Sequence, residues 1–91
     1  MRGTFADQAK RLRAIRIACG YKKQTAWANA LELSKGHWNE FENGKRELTL
    51  EVARKMKVGW GIPLDFSLDG DLAALDMAPS GLVKKLEAAA A

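Results

Sequence analysis

Two short apolar patterns, at residues 24–31 and 34–43, are separated only by Glu32-Leu33, a link too short for anything but a tight turn. The first opens at Lys22, Lys23 and Gln24 and places Trp27, Ala28 and Leu31 on one helical face. The second starts at Ser34, whose hydroxyl suits an N-cap, sets Trp38 and Phe41 three apart, and ends at Asn43 before Gly44. Two helices tied this closely cannot bury their apolar faces alone, so the rest of the chain has to cover them.

Five further patterns are available for that task. Thr4 with Asp7 forms a capping box for a first helix, in which Phe5, Ala9, Leu12, Ile15 and Cys19 make the inner stripe and Gly20 is the stop. Thr49 caps a fourth helix with Leu50, Val52, Ala53 and Met56 facing inward, broken by Gly59 and Gly61. Pro63 suits the first position of a fifth, with Leu64, Phe66 and Leu68. After the turn Asp69-Gly70-Asp71, residues 72–77 can add one helical turn. Pro79 interrupts, and Ser80 caps a last helix over 82–89 with Leu82, Val83 and Leu86 on one side. Alternating β-branched runs are missing, so the expected class is all-α. The expected architecture is a five-helix bundle over residues 1–71, plus a short C-terminal helical extension over 72–91 that serves dimerisation or partner binding.

The chemistry-bearing residues are few. One cysteine (Cys19) and one histidine (His37) supply neither a disulfide nor a zinc site. No nucleophile–base pair, paired carboxylates or phosphate-cradling glycine loop is legible, so neither an enzyme nor a cofactor is expected. No apolar run approaches the ~20 residues of a membrane span, and the first residues lack the apolar centre of a secretory signal, which makes the cytoplasm the expected location. Charge is unevenly spread. Residues 1–57 hold 13 Lys/Arg against 6 Asp/Glu, whereas residues 58–91 hold 2 against 5, within a net +4. The front of the chain suits a polyanion.

With Trp38 and Phe41 inward, the second helix of the pair turns Lys35, Gly36, Asn39, Glu40 and Asn43 outward. A protruding helix of this width fits the major groove, where base edges are distinguishable. Lys35 reads either as a guanine contact or as a solvated lysine near a helix start. Asn39 is an adenine reader or a surface amide. Lys22 and Lys23 attract phosphates or are merely solvated, and His37 is a surface or phosphate-adjacent side chain. Trp60, flanked by two glycines, either plugs the core or stands in a dimer contact.

Over roughly residues 5–70 the chain resembles the Xre/Cro-type helix-turn-helix repressors of the lambda-repressor-like fold. The resemblance rests on Arg11-Leu12-Arg13-Ala14-Ile15-Arg16, Gln24, Ala28, Leu33-Ser34, Phe41-Glu42-Asn43-Gly44-Lys45-Arg46 and Pro63-Leu64-Asp65-Phe66 through Gly70. It implies base contacts from Lys35, Gly36, Asn39 and, less strongly, Glu40. It implies phosphate contacts from Gln24, Asn43, Lys45 and Arg46, and an internal ion pair between Arg16 and Glu42; Lys22, Lys23, Ser34 and His37 are expected phosphate contacts beside those the resemblance implies. Four positions depart from the family pattern. Trp27 replaces a usual leucine, and Glu32 replaces the usual turn glycine, where a positive φ would cost about 1 kcal/mol. Gly36 and His37 are unusual at the helix start, and Gly36 offers backbone approach in place of a side chain.

The implied function is a sequence-specific, double-stranded DNA-binding transcription regulator, more readily a repressor, in a bacterial or phage-encoded setting at the nucleoid. As a homodimer it would read half-sites about 34 Å apart, with residues 62–86 as the dimer surface. The alternative is an antitoxin-type protein-interaction module that uses the acidic, apolar C-terminal third for a protein partner.

Overall fold

The structure, a computed structural model, describes residues 5–78 and 81–90. Of the expected caps, Thr4 and Ser80 lie outside the described residues, as does Pro79, the expected interruption. The described chain is all-helical: α1 (Phe5–Ala18), α2 (Gln24–Ala30), α3 (Lys35–Glu42), α4 (Leu50–Trp60), α5 (Leu64–Asp69), a 3-10 helix (Leu72–Met77) and α6 (Leu82–Ala90). Helix α1 runs through the middle and packs against α3, α5 and α6. Its Leu12 and Ile15 are fully buried, and Trp27, Ala28, Trp38, Ala53, Met56 and Ile62 close around them.

Local chemistry explains the boundaries. Ser34 Oγ accepts from the His37 N–H at 3.1 Å, and Thr49 Oγ1 from the Val52 N–H at 3.3 Å, so each hydroxyl satisfies a donor that the first helical turn leaves open. Helices α1, α2 and α3 end by one device, a 6→1 bond over a 5→2 bond with a left-handed residue between them. In α1 these are Tyr21 N to Arg16 O and Gly20 N to Ile17 O; in α3, Lys45 N to Glu40 O and Gly44 N to Phe41 O. In α2 they are Leu33 N to Ala28 O and Glu32 N to Asn29 O.

Several sequence expectations are corrected. Leu50 is 46% exposed, because the inner face of α4 is set by Val52, Ala53 and Met56, and Leu50, two residues before Val52, falls on the other side. Gly59 does not break α4, which continues to Trp60 and stops at Gly61 with φ +74°. Pro63 occupies the N-cap of α5 and not its first turn. Residues 72–77 wind as a 3-10 helix started by Asp71, whose carboxylate accepts from the Ala73 N–H at 3.0 Å. Phe5 and Val83, expected on inner stripes, are only partly covered, at 38% and 37% exposure. Trp60, which the sequence left open, is partly buried against the core, its ring 4.6 Å from that of Trp27 and 6.0 Å from that of Tyr21.

The C-terminal helix shares the core. Leu82 and Leu86 are buried in the same apolar cluster as α1, and Lys85 lies near Cys19. Burial pushes the Cys19 thiol up to about 11, with Lys85 opposing the shift, so at neutral pH the thiol is protonated and inert.

Candidate nucleic-acid interface

The α2–turn–α3 unit is held from inside by one polar network. Arg16, on α1, donates from Nε to Glu42 Oε2 at 2.6 Å and from Nη2 to Glu42 Oε1 at 3.2 Å. Its Nη1 donates to the carbonyls of Tyr21 at 2.9 Å and Lys22 at 2.6 Å. The Trp38 indole N–H donates to Glu42 Oε2 as well. Both ionic side chains are buried, at 7% and 5% exposure. Removing two charges from water is costly, and this bidentate pair with carbonyl acceptors on the remaining donors is the arrangement that offsets it. One guanidinium therefore fixes α3 and the loop carrying Lys22 and Lys23 to the same helix.

The turn between α2 and α3 is pinned from a third side. Lys55, on α4, donates from Nζ to the Leu31 carbonyl at 3.0 Å, one of the acceptors left open at the end of α2. Glu32 sits in the left-handed region at φ +60°, the one non-glycine residue to do so among the described residues. Below the turn, Trp27 meets Trp38 edge to face at 5.7 Å, and Trp38 meets Phe41 likewise at 5.6 Å. Such contacts fix the roll of α3 about its axis.

With that roll fixed, Lys35 and Gly36 are exposed and Asn39 is half-exposed. Lys22 and Lys23 are exposed ahead of α2, and Gln24 is its first residue; no side chain caps that helix start. Asn43 and Lys45 are exposed beyond α3. Glu40 does not stand alone on this side. Arg46 donates to its Oε1 from Nε at 3.0 Å and from Nη2 at 2.8 Å, in a half-exposed pair. His37 packs its ring 5.0 Å from that of Phe41, with Nε2 shielded from solvent. The two carboxylates of α3 are thus neutralised by arginines, and the lysines around the helix are left to set the local potential.

Three positioning residues escaped the sequence reading. Gln8 is buried and bridges three elements: its Oε1 accepts from the Leu48 N–H at 2.8 Å, and its Nε2 donates to the Leu68 carbonyl at 3.1 Å. Its position four before Leu12 and seven before Ile15, a polar group in an apolar stripe, is the signal that could have marked it. Arg11 donates from Nη2 to the same Leu68 carbonyl at 3.2 Å. Burial lowers its pKa, opposed by Asp69 and Asp7. Lys55, with its bond to the turn, is the third, and nothing in the sequence distinguishes it from its charged neighbours.

Elsewhere, a groove of about 820 Å³ runs between α1 and the C-terminal elements, with Phe66, Leu72, Leu75, Val83 and Leu86 lining it. Leu72 is 71% exposed there. Among the described residues no group of three His, Cys, Asp or Glu could hold a metal ion, and no helix is long and apolar enough to cross a membrane. The chain matches no protein-family model, no curated protein and no solved structure.

Proposed function

We propose that this chain is a sequence-specific, double-stranded DNA-binding regulator of the lambda-repressor-like, helix-turn-helix type, with α3 entering the major groove. The observation that carries the reading is the two-sided character of α3. Trp38, Phe41 and Glu42 bind it to the core, and Lys35, Gly36 and Asn39 lie on the opposite, open side, bracketed by Lys22, Lys23 and Lys45. A helix presented this way offers short polar side chains to base edges and cations to the flanking phosphates. Of the roles open to such a protein, repression follows most simply from occupying a site that another protein needs.

One short helix reads only a few base pairs, and a two-fold homodimer doubles the site. The groove beside α6 is the surface we assign to the second copy of the chain. Its α1 wall carries Lys10, Arg11 and Arg13, its other walls include Glu87, and Leu72 stands exposed between them. A heterologous protein partner at that groove, as in an antitoxin-type module, is the competing reading. Sedimentation at micromolar concentration separates them, since a monomer at every concentration favours the heterologous partner.

The DNA reading is tested by titrating the chain against random-sequence duplex over a range of salt. Three cationic phosphate contacts, from Lys22, Lys23 and Lys45, give a log–log slope of about −3 per bound protomer, and Arg46, paired with Glu40, adds little to it. Absence of binding at moderate salt removes the reading.

A further inference from the structure

On the reading that α3 enters the major groove, we infer that base recognition is confined to Lys35 and Asn39, acting beside a clearance left by Gly36. The half-site then contains a G·C pair and an A·T pair, one to two base steps apart.

The inference begins with the side chains that the fold withdraws from the open side of α3. Glu40 has Arg46 donating twice to Oε1, so its carboxylate is occupied in positioning that arginine. His37 is packed on Phe41, and Glu42 is buried against Arg16. Lys35 and Asn39 remain, neither with a side-chain hydrogen bond among the described residues. Four residues apart, they share one face of the helix and stand about 6 Å apart along its axis. Base pairs succeed each other about every 3.4 Å along the duplex axis, so the two side chains address pairs one or two steps apart.

Their chemistry differs in a way that separates the bases. A lysine ammonium has donors only. It matches the two acceptors, N7 and O6, on the guanine edge, whereas an adenine edge sets a donor beside its acceptor. An asparagine amide carries one acceptor and a donor group, the complement of adenine N6 and N7. Exchange of the two preferences would leave like groups facing each other.

Gly36 flanks them on the same open side, about 60° around the helix from Asn39, and the fold has no use for a glycine there. Its backbone is ordinary helix, and a Cβ added to it meets nothing within 4 Å. Glycine is among the weakest helix formers, so alanine would serve the protein better. What the missing side chain provides is room outside the protein, where a base-pair edge can approach the helix backbone. Gly59 supplies the control. It is a glycine of α4, equally free of neighbours, outside the proposed interface.

The test is selection from a random duplex pool with the unaltered chain, followed by affinity and melting measurements on K35A, N39A, G36A and G59A. The selected motif should hold the G·C and A·T pairs at the stated spacing. N39A should relax preference at the A·T pair alone and K35A at the G·C pair alone, each by roughly ten- to a hundredfold. G36A and G59A should both raise the melting temperature. Only G36A should weaken binding of the selected duplex, by tenfold or more, and because it melts higher that loss is not unfolding. A selected motif without these two pairs, or a G36A chain that binds as tightly as the parent, overturns the assignment and leaves the DNA reading intact. Failure of the unaltered chain to bind any duplex removes both.

Discussion

Glu32 is the residue at which the sequence and its backbone disagree most openly. It holds φ +60° in the middle of a hydrogen-bonded helix end where α1 and α3 use Gly20 and Gly44. The left-handed region brings a Cβ against the following carbonyl, which costs about 1 kcal/mol. Glu32→Gly should therefore stabilise the chain by roughly that amount, less the unfolded-state entropy glycine adds. A rise of a few degrees in melting temperature with an unchanged far-ultraviolet spectrum is the expected result; a fall would show that the glutamate side chain contributes more than the strain removes. Arg16 and Glu42 show the opposite case, a pair whose role depends on burial. The sequence places an arginine and a glutamate 26 residues apart. Only the fold brings Trp38, Tyr21 and Lys22 to the same two side chains and closes the network.

At the scale of elements, the punctuation of this chain was readable and its inward faces less so. Ser34, Thr49, Gly20 and Gly44 mark helix ends because each meets a local backbone need that no tertiary contact has to confirm. Leu50 was misplaced because a helix of three turns with apolar residues at 50, 52, 53 and 56 has two candidate faces. The choice between them is made by the rest of the core, α5 included, which a single helix pattern does not contain. Gly59 was read as a break because glycine is a poor helix former, yet the αL residue that ends the helix is Gly61. Gln8 is the clearest case of hidden tertiary chemistry, since its partners lie 40 and 60 residues away. Gln8→Ala leaves the buried Leu48 N–H without its acceptor and should cost about 1–3 kcal/mol. Chemical denaturation gives this directly, and a change under ~0.5 kcal/mol would mean the amide finds another acceptor. The open face of α3 was legible from Trp38 and Phe41 alone. The Glu40–Arg46 pair was not, because a stop signal at Gly44 marks where the helix ends and not where the chain runs after it.

For the whole molecule, the division of labour is set by α1. One side carries α3 through Arg16, and another carries α6 through Leu82 and Leu86. The C-terminal helix was read as an extension, and its buried leucines make it part of the core. Leu86→Ala should accordingly destabilise the entire chain by about 2–5 kcal/mol in one cooperative transition. Loss of α6 signals alone, with the rest melting as before, would return that helix to the status of an appendage. Charge follows the same division: the basic excess lies in residues 1–57, where the open face of α3 stands, and the acidic excess lies in residues 58–91. The central claim is that this open face is the part that meets DNA, and amide chemical-shift mapping of the isotope-labelled chain during titration with duplex tests it most directly. The largest shifts should fall at residues 22–24, 34–39 and 43–46, and weaken together as salt is raised. Shifts concentrated instead along the groove of α1, the 3-10 helix and α6, or none at any duplex concentration, would contradict it.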